Sequence, residues 1–256
     1  MCEVDSQRMA LDASREVWNS ARILEDLAWY PNEQIVRFIV KYLKRKTGLN
    51  TWEVVRPAHA VLDLGCGTGR HVKLFAEQGF EVHGFDLSLT SIQFAQEWIR
   101  SLSQSAHWVV GSGDRLPYRS HRFDVVVSHG TLDHMTWEQA TRAAQEIRRV
   151  LSPRGLFYLD LISKQDSGFG RGESAGPDTF IVPDGIETGA VQRFYNEGDI
   201  QRLLGEAFIL EEMIFQEWHP VLGRGFSNLD KRGAGPLKLA RYHIVAVPRS
   251  LEEAAG

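Results

Sequence analysis

The chain has 256 residues, of which 43% are hydrophobic and 24% are charged. This composition is typical of a globular protein and excludes a disordered or fibrous one. The 29 Lys and Arg against 33 Asp and Glu leave a net charge of -4, which supplies no overall basic field for a phosphate backbone or an anionic membrane, so no nucleic-acid or membrane partner is expected.

The N-terminal region is predicted to form two helices. In residues 12–28, apolar side chains recur at helical spacing at Val17, Ala21, Leu24 and Ala28, and charged residues occupy the other faces of the predicted helix. Pro31 suits the first turn of a second helix, whose apolar positions continue to Leu43, and Gly48 supplies a stop. Two helices are therefore expected before any strand.

From residue 60 onward, short apolar runs alternate with helical patterns, as in a parallel sheet with helices on both faces. The predicted strands are Ala60–Leu64, Glu81–Asp86, Ala106–Val110, Phe123–Ser128, Leu156–Leu161, Phe208–Trp218 and Tyr242–Val247. The predicted helices are Arg70–Gln78, Leu89–Leu102, Trp137–Leu151 and Glu197–Gly205. A Gly-rich stretch covers residues 163–189, and the connection between the last two strands is long enough to suggest a functional or mobile segment.

The residues most informative about chemistry follow the first predicted strand of the sheet, where residues 60–70 read AVLDLGCGTGR. Gly65 and Gly67 permit backbone angles or a ligand approach that a side chain would block, and Gly69 lets the next helix pack tightly on the strand. The spacing G-x-G-x-G differs from the G-x-G-x-x-G of dinucleotide-binding loops and disfavours a nicotinamide-dependent oxidoreductase. A ligand is therefore expected directly over the strand ends.

The segment VLDLGCGTG resembles the first motif of class I S-adenosylmethionine-dependent methyltransferases, and further matches follow in order. The next strand ends at Asp86, some 23 residues (86 minus 63) after Asp63, near the spacing at which α/β nucleotide folds present a carboxylate to the ribose hydroxyls. GSGDRLPYRSHRFDVVV, FDVVVSHGTLDHM and RRVLSPRGLFYLD resemble the adenine segment, the fourth-strand motif and the helix-turn-strand that follows it. The resemblance covers residues 60–161 well and the C-terminal hairpin loosely. Within the family it points to bacterial small-molecule enzymes, including the tellurite-resistance group.

This resemblance implies a Rossmann-like α/β fold, with a seven-stranded, mostly parallel sheet, helices on both faces and one antiparallel C-terminal strand near the edge. Residues 1–50 are expected to form an N-terminal helical cap or lid, and residues 51–256 the methyltransferase domain, within a single domain overall. The implied cofactor is S-adenosyl-L-methionine, with S-adenosyl-L-homocysteine as the product and no metal.

The resemblance also indicates the cofactor site. Asp63 is expected to orient the loop or to receive the cofactor's ammonium group, and Asp86 to hold the ribose, although Asp86 could instead cap the following helix, as Ser88 could. At the adenine the sequence leaves Ser112 and Asp114 as alternatives. The full set of expected cofactor-binding residues is Trp18, Tyr30, Asp63, Gly65, Cys66, Gly67, Gly69, Asp86, Leu87, Ser112, Gly113, Asp114 and His129.

Two residues after the fourth strand are candidates for catalysis. A neutral His134 imidazole could take a proton from the methyl acceptor, and the Asp133 carboxylate could orient that imidazole. Alternatively, His134 packs against the cofactor, because in-line alignment with the electrophilic sulfonium supplies much of the rate. Arg193 and Tyr195 are further candidates to enter the same cleft.

The function expected from these features is methyl transfer by SN2 displacement to an O, N or S atom of a small-molecule acceptor. The alternatives are an RNA- or protein-directed methyltransferase, and a cofactor-binding protein without turnover. The sequence does not define the acceptor, because fold and cofactor site do not encode it.

The two cysteines, Cys2 and Cys66, are too few for a disulfide framework or a Cys-rich zinc site and fit a reducing cytoplasm. The sequence shows no signal peptide and no membrane-spanning run, so we expect a cytoplasmic monomer or homodimer.

Overall fold

The structure is a computed structural model, which describes residues 14–19, 30–185, 187–219 and 237–250. Its first elements are a helical segment at residues 14–19, helix α1 (Glu33–Phe38), a π-helical turn (Ile39–Leu43) and a hairpin of β1 (Lys44–Lys46) and β2 (Trp52–Val54). The remainder of the predicted first helix lies outside the described residues.

The prediction that the second helix runs to Gly48, with no strand before residue 60, was wrong. Leu43 is the last residue of this helical stretch and is buried. The next three residues, Lys44–Lys46, are all basic and carry no apolar face to bury, and their backbone groups pair with Trp52–Val54 in an antiparallel ladder. The helical pattern therefore ends where its apolar residues end.

The main sheet has seven strands, in the spatial order β11-β12-β7-β6-β3-β4-β5. In chain order these are β3 (Ala60–Leu64), β4 (Glu81–Asp86), β5 (His107–Val110), β6 (Phe123–Ser128), β7 (Leu151–Ile162), β11 (Phe208–Trp218) and β12 (Leu239–Pro248). β12 is antiparallel to both of its neighbours, whereas the pairs among β3 to β7 are parallel. The predicted fold class, including the antiparallel strand next to the edge, is confirmed.

Helices cover both faces of this sheet, as the alternating pattern predicts. The helices after α1 are α2 (Arg70–Glu77), α3 (Leu89–Ser101), α4 (Trp137–Val150) and α5 (Glu197–Leu204). Apolar residues of α1, α2 and α3 share one buried cluster with one set of strand side chains, and those of α4 and α5 share a second cluster with the other set. Because side chains alternate along a strand, each sheet face receives its own core.

The Gly-rich region holds structure that the sequence did not predict. Three short strands, β8 (Glu173–Gly176), β9 (Thr179–Ile181) and β10 (Val191–Arg193), form a separate antiparallel sheet in the order β10-β9-β8. Strands of three or four residues between glycines are too short to give a clear period-2 pattern. This small sheet lies beside the 3₁₀ turn Leu132–His134, where it borders the site described below.

Candidate active site

A cavity of about 380 Å³ opens at the carboxyl ends of strands β3, β4 and β6. Its wall combines the loop after β3, the end of β4, the loops after β5 and β6, and residues 14 and 18 of the N-terminal helical segment. Ligands of open α/β sheets bind at this end of the strands, because the loops there are the ones free to vary. The predicted site residues that line this cavity are therefore the ones that can contact a ligand.

The glycines of the loop after β3 are required for two different reasons. Gly65 has a φ of +75°, and a Cβ atom there would lie 2.0 Å from Oγ1 of Thr131. Gly67 has a φ of +51°, and a Cβ atom there would meet nothing within 4 Å, so its backbone faces open space in the cavity wall. Asp86 fixes this turn, because its Oδ2 accepts the Gly67 N–H at 2.8 Å. The loop thus brings bare backbone to the cavity.

Two residues of the same loop face away from the cavity. A Cβ atom at Gly69 would lie 3.1 Å from Cβ of Ala95, so this glycine permits contact between the loop and helix α3 rather than the expected packing of helix on strand. Cys66 is buried, and burial raises the pKa of its thiol well above the ordinary value. Neither residue lines the cavity.

Asp63 lies at the base of the loop with a buried carboxyl group. It is 1% exposed, and neither oxygen has a hydrogen-bond partner of good geometry among the described residues. Burial raises its pKa to about 7, although the nearby charge of Arg70 opposes the shift. A buried carboxylate without partners is costly, so this position favours a bound cation or N–H donor. The observation fits the ammonium group of the expected cofactor.

Asp86 and Leu87 line the cavity at the end of β4. The Asp86 carboxylate accepts backbone N–H groups from Gly67 and from Ser88, both at 2.8 Å, while the Ser88 side chain caps helix α3. Burial raises the pKa of Asp86, and these N–H donors oppose the shift. Ser88, and not Asp86, therefore caps the helix, while Asp86 holds the glycine loop and borders the cavity, where its ribose role stays a prediction.

Of the adenine candidates, Ser112 and Gly113 line the cavity and Asp114 does not. Asp114 is turned aside, with one oxygen accepting the Ser112 hydroxyl at 2.5 Å and the other 3.2 Å from Nε of Arg142. The structure thus brings Ser112, and not Asp114, to the wall.

His134 lines the same cavity as the glycine loop. Its Nδ1 is 3.0 Å from the carbonyl oxygen of Val191, which can only accept, so Nδ1 carries a proton. Nε2 is 3.7 Å from a carboxylate oxygen of Glu187, and the edge of the Trp18 ring packs against the imidazole with centroids 4.8 Å apart. In the neutral ring Nε2 is then the basic nitrogen.

Asp133 does not orient His134, contrary to the prediction. It is fully buried and pairs with Arg241 at 3.2 Å, and burial raises its pKa despite that positive charge. Arg241 also contacts Asp160 at 2.5 Å, and Asp160 accepts the Gly130 N–H at 2.6 Å. The backbone carbonyl of Val191 orients the imidazole instead.

His129 lies next to this charged group and lines the cavity. Its Nε2 is 3.6 Å from Asp160, and burial lowers its pKa to about 4, so the ring is neutral at pH 7. Burial would raise the pKa of Asp160, but His129, Arg241 and the Gly130 N–H outweigh it and hold that pKa below its usual range. The strongest ionic contact at the cavity is therefore between Arg241 and Asp160.

Other candidates have different positions. Trp18 lines the cavity, whereas Tyr30 is 84% exposed and does not. Tyr195 is fully buried and donates its hydroxyl hydrogen to the Leu132 carbonyl, and Arg193 is buried over the ring of Trp137. Neither Arg193 nor Tyr195 enters the cavity.

Several wall residues were not among the predicted site residues, including Arg70, Thr131, Glu187 and Arg241. The sequence analysis also missed Asp160, a carboxylate inside the buried run LFYLDLI of strand β7, where a charged residue signals a buried partner. Arg241 had no comparable signal, because it lies at the start of a strand 81 residues away from Asp160.

Part of this chain is similar to known methyltransferases. Residues 61–155 match a protein-family model described as a methyltransferase domain. One relative is "Putative methyltransferase YqeM" of Bacillus subtilis (strain 168). It is 28% identical over 173 residues, which cover 67% of this chain and 64% of YqeM. "Probable tRNA methyltransferase 9B" of Mus musculus is 32% identical over 107 residues, covering 41% of this chain and 22% of that protein. The chain thus spans less than two thirds of the length of either relative.

Solved structures share the fold at low identity. A SAM-dependent methyltransferase of Methanosarcina mazei superposes with a TM-score of 0.59 at 21% identity, covering 75% of this chain and 93% of that one. TehB of Haemophilus influenzae superposes with a TM-score of 0.54 at 15% identity, covering 76% of this chain and 59% of TehB. The special likeness to the tellurite-resistance group stays a prediction. Residues 61–155 thus match the methyltransferase domain model, and the chain carries them in a seven-stranded fold that it shares with the solved S-adenosylmethionine-dependent methyltransferase of Methanosarcina mazei.

Proposed function

We propose that this protein transfers a methyl group from S-adenosyl-L-methionine to an O, N or S atom of a small-molecule acceptor. One observation carries the proposal: the glycine loop with Asp86 and the imidazole of His134 line the same cavity of about 380 Å³. The residues proposed to bind the cofactor and the residue proposed to accept a proton therefore border one space of the size that small ligands occupy.

The chain's own groups suit each part of the cofactor. The bare backbone at Gly67 allows close approach, and Asp86 offers oxygens to vicinal hydroxyls at the cavity wall. Asp63 does not line the cavity, but its buried carboxyl group favours a nearby ammonium group. Ser112 supplies a hydroxyl at the adenine side. Bound there, S-adenosylmethionine supplies an electrophilic methyl group on a sulfonium. Oriented binding of both reactants provides much of the rate in such a displacement.

His134 is the group that would receive the acceptor's proton. The Val191 carbonyl holds Nδ1–H and so keeps Nε2 as the free basic nitrogen at the wall. Glu187, 3.7 Å from Nε2, would stabilise the imidazolium once it formed. This role needs an acceptor that loses a proton on methylation, such as a hydroxyl, a thiol or an ammonium group that deprotonates first.

The charge of the wall favours a small acceptor over a nucleic acid. Among the described residues that line the cavity, the two arginines, Arg70 and Arg241, are matched by Asp86 and Glu187. Phosphate-backbone binding needs an excess of basic groups, which this wall does not have. The match to a tRNA methyltransferase relative keeps an RNA acceptor as the second candidate.

The test begins with calorimetric titration of the purified protein with S-adenosylhomocysteine, using NAD as the control. Micromolar or tighter binding of the first ligand alone, about -8 kcal/mol or better, is the expected result. Binding of NAD alone would overturn the cofactor assignment.

Methyl-labelled S-adenosylmethionine is then incubated with the protein and with separate pools of small metabolites, tRNA and protein. Label in the small-molecule pool supports the proposal, whereas label in tRNA or protein alone replaces it with the corresponding alternative. Tight cofactor binding with no label in any pool would favour a cofactor-binding protein without turnover. The cytoplasmic location and the monomeric or homodimeric state stay predictions, and no helix among the described residues has the length and apolar character to cross a bilayer.

A further inference from the structure

A cluster of three histidines and a glutamate lies at the opposite end of the sheet from the cavity. Glu81 is the first residue of β4 and Asp86 is the last, and at about 3.3 Å per residue the two ends are about 17 Å apart. Around Glu81 lie His59, His83 and His107. None of these four residues lines the cavity or takes part in the proposed methyl transfer.

The register of the sheet builds this cluster. His83 of β4 and His107 of β5 are paired neighbours across the two strands. Glu81 lies two residues before His83 and so on the same sheet face, and it pairs with Ala60, the residue after His59. The four side chains are therefore held by three adjacent strands and their ends. Rigid strands hold ligand groups more precisely than loops do.

The two distances from Oε1 of Glu81 to His83 and His107 are close to the edges of a tetrahedral metal site. Oε1 of Glu81 is 3.2 Å from Nε2 of His83 and 3.5 Å from Nε2 of His107, and Oε2 is 3.3 Å from Nδ1 of His59. With metal-ligand bonds of about 2.0–2.2 Å, a tetrahedron has edges of about 3.3–3.6 Å. One ligand atom from each of Glu81, His83 and His107 lies within 4.8 Å of the other two.

The chemistry of the donor set points to a borderline transition metal. Two or three imidazole nitrogens and one carboxylate oxygen suit Zn²⁺ better than Mg²⁺ or Ca²⁺, which prefer oxygen ligands. His83 is buried, and an imidazole binds a metal ion in its neutral form. The His83 and His107 rings are stacked with centroids 4.4 Å apart, so one ring must turn, and the His107 side chain, 62% exposed, has the space to do so.

A cation already occupies part of this site. Nη2 of Arg122 donates to Oε1 of Glu81 and lies 3.1 Å from Nε2 of His83. The carboxylate and the imidazole thus converge on one positive group, which is the arrangement that a metal ion would take. The Arg122 side chain is 23% exposed and can move outward when the metal enters.

We propose that Glu81, His83 and His107, with His59 as a fourth ligand, bind Zn²⁺ in exchange for the Arg122 guanidinium. The bound ion would join the start of β4 to the edge strand β5, whose other end leads to Ser112 in the cavity wall. Its expected role is to stabilise this edge of the sheet, since an ion that binds only the folded state raises the melting temperature.

The test uses the full chain after treatment with a chelator and its removal. Calorimetric titration with Zn²⁺ should show one site of micromolar or tighter affinity, and Co²⁺ bound there should show the intense visible absorption of a tetrahedral ion. His83→Gln and His107→Gln should each weaken the Zn²⁺ affinity by about 100-fold or more, because even partners of metal ligands contribute 10- to 100-fold. The matched control is His219→Gln, an exposed histidine outside the cluster, which should leave the affinity unchanged.

Arg122→Gln distinguishes metal exchange from a simple ion-pair network. Removing the competing cation should tighten Zn²⁺ binding by about tenfold or more, because the ion no longer displaces a guanidinium. Unchanged affinity for S-adenosylhomocysteine in every variant shows that the fold is intact. The proposal is wrong if the wild type binds no stoichiometric Zn²⁺, or if binding survives in both His83→Gln and His107→Gln, and unchanged affinity in Arg122→Gln would contradict the exchange.

Discussion

Arg241 is the residue whose replacement tests the electrostatics of the active site most directly. It contacts two carboxylates that are almost wholly buried, Asp160 at 2.5 Å and Asp133 at 3.2 Å. Removing one partner of a buried ion pair costs about 3–5 kcal/mol, because an uncompensated charge stays behind. Asp133 already has a raised pKa and can take up a proton, so one uncompensated charge, that of Asp160, remains in the variant. We therefore expect Arg241→Met to lower the unfolding free energy by about 3–5 kcal/mol at pH 7.

The loss of unfolding free energy in Arg241→Met should increase as the pH rises. In the wild type the folded-state pKa of Asp160 is below its unfolded value, so its stabilising contribution is present above about pH 4 and is lost as the pH falls through the folded-state pKa. Without Arg241, burial raises the folded-state pKa of both carboxyl groups above the unfolded value of about 3.9. The folded variant then binds more protons than the unfolded chain, so its stability falls as the pH rises. The deficit against the wild type is therefore larger at pH 7.5 than at pH 5.

Urea unfolding of both proteins at pH 5 and pH 7.5 measures this difference. Arg119→Met is the control, because Arg119 is exposed and its replacement should change the unfolding free energy by less than about 0.5 kcal/mol. Adding Asp133→Asn to Arg241→Met should recover part of the loss at pH 7.5, because one buried charge is gone. A deficit below about 1 kcal/mol at pH 7.5, or one that is the same at both pH values, would refute the reasoning.

Three further predictions concern the cavity. Asp86→Asn should weaken S-adenosylhomocysteine binding by about 1.5–3 kcal/mol in calorimetry, the cost of losing a charged acceptor, and unchanged affinity would remove Asp86 from the ribose role. His134→Asn keeps a donor towards the Val191 carbonyl but removes Nε2, so turnover should fall by about 100-fold or more while cofactor affinity changes less than threefold; intact turnover would mean that alignment alone carries the reaction. Trp18→Ala should weaken cofactor binding by about 0.5–1.5 kcal/mol in the same titration, and unchanged affinity would show that this ring does not close the cavity.

Local sequence patterns predicted most of the fold. The strands at residues 60–64, 81–86, 123–128 and 208–218 were predicted with the bounds that the structure has. Those at 60–64 and 123–128 are short, mostly apolar runs. The glycine loop was also predictable, since its positive φ angles strongly favour glycine over other residues. The hairpin at residues 44–54 and the three-stranded sheet at residues 173–193 were missed, because strands of three or four residues carry no clear period.

Only part of the candidate site could be predicted from the sequence. The sequence indicated which loops meet at the strand ends, and Asp86, Ser112 and His134 do line one cavity. It could not decide between Ser112 and Asp114, because the choice depends on Arg142, a residue of helix α4 that draws the Asp114 carboxylate aside. The sequence around Asp114 does not indicate its ion pair with Arg142, because Arg142 belongs to a helix that lies later in the chain.

The sequence by itself indicated the parallel α/β architecture, the glycine loop and the proposed cofactor, since each depends on patterns of residues that are close in the chain. Only the tertiary structure decided that Arg241 neutralises Asp133 and Asp160, that Val191 and not Asp133 orients His134, and that histidines from neighbouring strands surround Glu81. These contacts follow from strand order and register, which are set by the packing of the whole sheet and cannot be read from any one segment.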